Sequence, residues 1–182
     1  MPAKSMYSYS DSLYAILDEF KPAKIFEWGP GTSTQIMALH KSVMCITSVE
    51  HEHIFYDMIE RLRLPNLILR YEPDMEKYAD SIGDETFDFI FIDGRDRGKC
   101  LELAMERSPL VMLHDASRAD YRDDVDAYPF QIWTDDGNTV TLTKRPDIYE
   151  RALSCLEKMS CEKPNPEHVY MSEYGKQNKV KV

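Results

Sequence analysis

The chain has 182 residues, which suffice for one globular domain of ordinary size, whereas a second domain would have to be very small. Hydrophobic residues make up 43% of it and aromatic residues 11%, a normal share for a chain that buries a core, and this excludes global disorder. The formal charge is −10, from 22 basic and 32 acidic side chains, so the averaged field repels phosphate backbones and disfavours a nucleic-acid partner.

The first half of the chain alternates predicted helices with short apolar strands. A helix is predicted over 10–20, and Pro22 ends it. Strands are predicted in "KIFEW" and "SVMCITSVE", and a helix that covers the sheet follows each of them. The second of these helices, in "HEHIFYDMIERLRL", has an apolar side made of Ile54, Phe55, Met58, Ile59 and Leu62.

The alternation continues with strands in "NLILRYE", "FDFIFID" and "PLVMLHD" and with helices between them. The run from Phe89 to Ile92 is apolar throughout, which is typical of a strand covered on both faces of a parallel sheet. Two alternating strands in "PFQIWTDDGNTVTLTKR" then flank a turn at 136–138, a hairpin signal that predicts antiparallel pairing. We therefore predict an α/β fold: a three-layer, Rossmann-like, doubly wound sheet, mostly parallel, that ends in an antiparallel hairpin.

We predict a single domain over residues 1–160 and a C-terminal tail over 161–182, where Lys176, Lys179 and Lys181 indicate a solvated, frayed segment. The four cysteines form no Cys-x-x-Cys pair, so neither a zinc site nor a disulfide framework is predicted. No apolar run approaches the ~20 residues of a membrane span, and the first residues lack an apolar segment of signal-peptide length. We expect a cytoplasmic protein that binds neither membranes nor nucleic acid and is a monomer or a homodimer.

The turn after the first strand, in "IFEWGPGTST", has the pattern of a ligand-binding turn. Gly29 and Gly31 lie where a parallel strand passes into a helix, and glycine there allows positive φ and close approach of a ligand. A dinucleotide fingerprint requires a third glycine or alanine, but Thr34 stands at that position. Glu27 would repel a diphosphate and attract a cationic amino acid group, so the turn favours a cationic cofactor.

These residues resemble the first motif of class I S-adenosylmethionine-dependent methyltransferases, in which an acidic residue precedes Gly-x-Gly. Glu50, which closes the second strand, matches the family's acid that accepts both ribose hydroxyl groups of the cofactor. The resemblance extends over about 10–144 and implies the strand order 3-2-1-4-5-7-6. It assigns contacts with S-adenosylmethionine to Glu27, Gly29, Gly31, Thr32, Ser33, Glu50, His51, Tyr71 and Asp93.

On the acceptor side, "FIFIDGRDRGKC" and "VMLHDASR" resemble small O-methyltransferases of the catechol and macrocin type. In those enzymes acids at these two strand ends hold a divalent ion such as Mg²⁺, and the matching positions here are Asp93 and Asp115. The catechol-type pattern has Asp-Asn where this chain has His114-Asp115. Without a metal, His114 is the alternative general base. The resemblance thus implies that Asp93, His114 and Asp115 are the catalytic residues.

Two arginines in "GRDR" lie beside the same edge of the predicted sheet. Arg95 and Arg97 suit a carboxylate or phosphate on the acceptor, so we expect them to bind substrate. The alternative is that they pair with neighbouring acids such as Asp96, Asp120 or Asp123.

The sequence thus predicts an enzyme, an S-adenosylmethionine-dependent methyltransferase that methylates a hydroxyl group of a small molecule. Nitrogen-directed or protein-directed methylation remains an alternative within the same class. A non-catalytic relative that keeps the fold and serves as a binding partner is a second alternative, and a nucleotide-dependent oxidoreductase is a third.

Overall fold

A computed structural model describes residues 9–134 and 137–159, which fold around a seven-stranded sheet. The strands are β1 (Lys24–Trp28), β2 (Cys45–Glu50), β3 (Leu67–Tyr71), β4 (Phe89–Ile92), β5 (Val111–His114), β6 (Phe130–Trp133) and β7 (Thr139–Thr143). Their order is β3-β2-β1-β4-β5-β7-β6; β7 pairs antiparallel with β5 and β6, and the other neighbouring strands pair in parallel. The predicted fold class and strand order are confirmed.

Helices cover both faces of the sheet. They are α1 (Tyr9–Phe20), α2 (Thr32–Leu39), α3 (His53–Glu60), α4 (Met75–Tyr78), α5 (Arg97–Arg107), α6 (Arg122–Asp126) and α7 (Pro146–Met159). The sequence did not predict α6, which forms inside the polar segment after β5. Among the helices of 9–134 and 137–159, none is long and apolar enough to cross a membrane.

The strand pleat divides the core into two apolar clusters, one on each face of the sheet. Alternate side chains of β4 point to opposite faces, with Ile90 and Ile92 in the cluster beneath α5, and Phe89 and Phe91 in the cluster beneath α1, α2 and α7. All four side chains are completely buried, as the apolar run predicts. The strand ends are therefore fixed from both sides.

The hairpin forms as predicted, with β6 and β7 paired from Phe130↔Thr143 to Trp133↔Val140. Gly137 has φ 67° and donates its backbone N–H to the carbonyl oxygen of Thr134 at 2.8 Å. Asp136 of the predicted turn and the predicted tail lie outside the described residues.

Helix α3 differs from its prediction. Of the five apolar residues expected to cover the sheet, only Ile59 is buried. The other four stay exposed because α3 lies over β2 and the edge strand β3 and contacts them along one side only. Periodicity locates the apolar face of a helix but not the surface that covers it.

Candidate functional site

The turns after β1 and β4 pack back to back. Gly29 has φ +81°, and a Cβ atom on it would lie 2.5 Å from the Cα atom of Gly94. A Cβ atom on Gly94 would collide with the hydroxyl group of Tyr78. Around Gly31, by contrast, the Cβ position is open. Gly29 therefore serves close packing of two turns, whereas Gly31 leaves space for a ligand.

Glu27 lies beneath the start of α2. Its side chain is completely buried, and its Oε1 atom accepts a hydrogen bond of 2.6 Å from the Ser33 hydroxyl group. Its Oε2 atom accepts hydrogen bonds of 2.7 Å from the hydroxyl groups of Thr34 and Ser48. Thr34 Oγ1 in turn accepts the backbone N–H of Gly31 at 2.7 Å. Glu27 thus fixes the glycine turn from within.

Glu50 ends β2 with one carboxylate oxygen held by the backbone. Oε1 accepts the backbone N–H groups of His51 at 2.7 Å and Glu52 at 2.9 Å. Within the described part of the chain, Oε2 has no hydrogen-bond donor. The His51 ring packs edge-on against Tyr78, with its Nδ1 atom 2.8 Å from Glu50 Oε1. The carboxylate is therefore oriented before any ligand binds.

A cleft of about 320 Å³ lies where these turns meet, at the carboxyl ends of β1, β2 and β4. Its size falls within the range of small-molecule sites. The predicted residues that line it are Gly29, Gly31, Glu50, His51, Asp93, Arg95 and Arg97. It is also lined by residues that the sequence analysis did not assign, namely Pro30, Glu52, Phe55, Gly94 and Arg118. Of these, Gly94 had a sequence signal, because it follows Asp93 in the segment "FIFIDGRDRGKC".

A second depression, of about 410 Å³, lies at the opposite end of the strands, between the segments that enter β4 and β5. Although it is larger, it lies away from the carboxyl ends of the parallel strands, where ligands bind in open α/β sheets. The smaller cleft is therefore the candidate site.

Four of the residues predicted to contact the cofactor do not line the cleft. Glu27 and Ser33 bond to each other in the interior, so they act on the cleft only through the turn. Thr32 lies in the first turn of α2 and does not line the cleft. Tyr71 packs against His53 and α3, with ring centroids 5.5 Å apart, because the end of the edge strand lies beside that helix.

Arg97 is a buried arginine at this edge and is held by several hydrogen bonds. Its side chain is 9% exposed, and its guanidinium group donates to the carbonyl oxygens of Gly94, Asp93 and His114. The same group lies 3.1 Å from Asp93 Oδ1 and 3.5 Å from Asp115 Oδ2. Its donors are therefore engaged by the protein, and its predicted contact with substrate stays a prediction. Arg95, with a side chain 63% exposed, remains accessible.

The same geometry bears on the predicted metal site at Asp93 and Asp115. The guanidinium group of Arg97 bridges the two carboxylates, and Asp115 Oδ2 also accepts a 2.9 Å hydrogen bond from Arg118. Mg²⁺ and Ca²⁺ require about six or more oxygen ligands. No cluster of three or more His, Cys, Asp or Glu side chains suited to a metal exists in 9–134 and 137–159. These residues do not fit a divalent ion, since a cationic side chain occupies the bridging position.

Asp93 and Asp115 have different electrostatic environments. Burial raises the pKa of the Asp93 carboxyl group, and the charges of His114 and Arg97 oppose that rise only in part. For Asp115 burial acts in the same direction, but the hydrogen bond from Asn138 and the neighbouring positive charges prevail and lower its pKa. Asp93 is therefore the better proton acceptor of the two.

His114 ends β5 next to these acids and outside the lining of the cleft. Its Nδ1 atom lies 2.9 Å from the Thr139 hydroxyl oxygen, and its Nε2 atom lies 3.7 Å from Asp115 Oδ1. The ring of Tyr9, at the start of α1, packs against it with centroids 4.6 Å apart. Thr139 and Tyr9 thus hold the His114 ring from two sides.

No protein-family model matches this sequence, and no curated protein is significantly similar to it. The fold is similar to that of a methyltransferase-like protein from Silicibacter pomeroyi, which is 14% identical, with a TM-score of 0.58 over 85% of this chain and 94% of that one. It is also similar to that of an O-methyltransferase from Bacillus cereus in complex with SAH, which is 19% identical, with a TM-score of 0.55 over 79% and 84%. Spermidine synthase from Thermotoga maritima is 14% identical, with a TM-score of 0.56 over 77% and 61%.

These neighbours include O-methyltransferases and a polyamine synthase, so they do not single out the catechol or macrocin branch. At such identities the likeness concerns the fold and not the reaction. The chain has the Rossmann-like fold of the class I methyltransferases.

Proposed function

We propose that this protein is an S-adenosylmethionine-dependent methyltransferase that methylates a hydroxyl group of a small molecule. The observation that carries the proposal is the oriented carboxylate of Glu50 at the end of β2, beside the glycine turn after β1. A carboxylate accepts hydrogen bonds only, which suits the two hydroxyl groups of a ribose. The open space at Gly31 and the fold of the neighbouring structures support the same cofactor.

S-adenosylmethionine, once bound, supplies a methyl group activated by a positively charged sulfur, so the protein needs mainly to orient the acceptor and remove its proton. Asp93 lines the cleft and has a raised pKa, which suits a general base. His114, whose Nε2 atom lies 3.7 Å from Asp115 Oδ1, is the second candidate for that proton. We propose that this base chemistry proceeds without a divalent ion, because Arg97 bridges the carboxylates that would hold one.

For the acceptor we propose a small molecule with a carboxylate or phosphate group. Arg95 and Arg118 line the cleft, and their side chains are 63% and 55% exposed. Arg95 lies no closer than 3.9 Å to Glu52, so its donors remain accessible to an anion. Arg118 thus takes the place of Arg97 as a residue proposed to bind the acceptor.

The test is calorimetric titration of the full chain with S-adenosylmethionine, S-adenosylhomocysteine and NAD. Both adenosyl compounds should bind and NAD should not. Glu50→Gln should weaken binding by about 2 kcal/mol, roughly 30-fold, because it removes the charged acceptor of two hydroxyl groups.

Glu52→Gln is the matched control, since Glu52 also lines the cleft but directs its carboxylate toward His51 and Arg95. It should change the affinity by less than about threefold. Tighter binding of NAD than of S-adenosylmethionine, or an equal loss in both variants, would contradict the proposal. Binding of the cofactor without methyl transfer to any hydroxyl compound in a screen would favour the non-catalytic alternative.

A further inference from the structure

Helix α3 presents an apolar stripe to solvent on the outside of the molecule. Ile54, Met58 and Leu62 follow at intervals of four residues and are 73%, 55% and 41% exposed. Phe55 lies beside the stripe and is 48% exposed. In an α/β protein the outer face of a covering helix is ordinarily polar, so this arrangement is unusual for a surface in contact with water.

The apolar surface continues into the loop that connects α2 to β2. Leu39 and Met44 in this region are 66% and 78% exposed. The Asn66 side chain joins this loop to the segment after α3, because its amide group donates to the carbonyl oxygens of Ala38 and Val43, both at 3.1 Å. We call the six residues Leu39, Met44, Ile54, Phe55, Met58 and Leu62 the α3 patch.

The α3 patch reaches the upper limit for an apolar patch on a monomer. Its six side chains each present on the order of 100 Å² to water, so together they present roughly 600 Å². The largest apolar patch of a typical monomer measures about 300–600 Å², and each partner contributes ~800 Å² to a standard interface.

The charges beside the patch indicate which partner fits. Asp57 and Arg61 lie one helical turn apart on the same flank of α3. Asp57 Oδ2 lies 3.4 Å from His53 Nδ1 on the same helix, whereas Arg61 forms no ion pair within the part of the chain that the structure describes. If two copies of α3 pack antiparallel about a two-fold axis, the same flanks meet and Asp57 of each copy faces Arg61 of the other. The flank is therefore complementary to itself.

We propose that the protein forms a symmetric homodimer through the α3 patch, with the two α3 helices antiparallel. Phe55 belongs both to the patch and to the lining of the candidate cleft, and Glu52 lies one helix position before α3 in the same lining. The second copy therefore stands at the mouth of the cleft and limits its access to water. The dimer requires neither the cofactor nor the reaction.

The test is the mass of the full chain in solution, measured by sedimentation from about 1 to about 100 µM. The wild type should have about twice the 21.2 kDa of one chain. Met58→Glu should yield the single-chain mass, because it places charge in the centre of the patch. Trp133→Glu, which changes another exposed apolar residue on β6 at the opposite edge of the sheet, should leave the dimer intact.

A charge exchange tests the antiparallel arrangement. Arg61→Asp should raise the dissociation constant of the dimer at least about tenfold, since two interfacial pairs then become repulsive. The double variant with Asp57→Arg should recover most of that loss. A wild type that remains monomeric throughout, or a Met58→Glu variant that remains a dimer with an unchanged circular dichroism spectrum, overturns the proposal.

Discussion

Glu27 and Glu50 are the same type of residue at neighbouring strand ends, but their surroundings give them different roles. Glu50 accepts backbone N–H groups on one oxygen and lines the cleft. Glu27 is completely buried, and burial raises its pKa to about 7, although three hydroxyl groups donate to it and oppose the rise. We therefore regard Glu27 as the residue that orders the glycine turn, and we propose Glu50 as the residue that contacts the cofactor.

The raised pKa of Glu27 predicts a pH-dependent stability. Between about pH 5 and pH 7 the folded protein retains a proton on Glu27 that the unfolded chain, with a pKa near 4.5, releases. The free energy of unfolding should therefore fall as pH rises through this window, by up to about 3 kcal/mol, and then stay level. Urea unfolding at several pH values would measure this fall.

Glu27→Gln should remove most of this dependence, because the amide does not titrate. Glu102→Gln, a change of an exposed glutamate on α5, is the matched control and should preserve it. Parallel pH profiles for wild type and Glu27→Gln would show that Glu27 does not titrate in this range.

Among the secondary-structure elements, β4 and β5 have their carboxyl ends joined by one side chain from the start of α5. Arg97 donates to carbonyl oxygens after both strands and contacts a carboxylate at each end. Arg97→Ala should lower the free energy of unfolding by about 3 kcal/mol or more, because it leaves buried acceptors and charges without their partner. Arg95→Ala, two residues away and exposed, should change it by less than about 0.5 kcal/mol. Equal losses of unfolding free energy for Arg97→Ala and Arg95→Ala, measured in urea, would contradict the stabilising role of Arg97.

The position of Arg97 between Asp93 and Asp115 also predicts whether the protein binds metal ions. Because the guanidinium group bridges Asp93 and Asp115, Mg²⁺ and Mn²⁺ should give no binding heat with the wild type, and a chelator should leave its affinity for S-adenosylhomocysteine unchanged. Titration calorimetry measures both quantities. Metal binding that disappears in Asp93→Asn would contradict this expectation.

In the whole molecule, the candidate site is assembled from turns that are distant in sequence. The cleft joins the segments after β1, β2 and β4 with Arg118 from the loop after β5. A ligand bound there contacts several elements at once, so it should stabilise the entire fold and not only one loop. The linkage between binding and folding makes this a measurable property.

We predict that S-adenosylhomocysteine at about 100 times its dissociation constant raises the free energy of unfolding by about 2.7 kcal/mol. For a chain of this length the melting temperature should then rise by roughly 5–10 °C. Differential scanning calorimetry at one fixed protein concentration would measure the shift, since dimer formation also affects the melting temperature. Glu50→Ala also loses the acceptor of two backbone N–H groups, so it should melt below the unliganded wild type and should show little shift when the ligand is added. A full shift in that variant would contradict the role of Glu50.

Much of the fold could be predicted from the sequence, because it depends on local patterns. The alternation of apolar strands and helices, the apolar run of β4 and the hairpin signal before Gly137 fix the order of the elements. Parallel strands then place their carboxyl ends at one edge, so Gly31, Glu50 and Asp93 meet in one cleft without further information. The short helix α6 was missed, since it is too short to show a period.

The roles of individual charged side chains were decided only by the tertiary structure. The sequence identifies Glu27, Arg97 and the apolar side of α3, but their partners come from segments far apart in the chain. The packing around a carboxylate decides whether it faces a ligand or three hydroxyl groups. The packing around a guanidinium group likewise decides whether it faces an acceptor or two strand ends. The sequence by itself determined the sheet and the place of the cleft, because these follow from local periodicity. The tertiary structure decided which groups in that cleft are free to act, because burial and hydrogen bonding are properties of the packed chain.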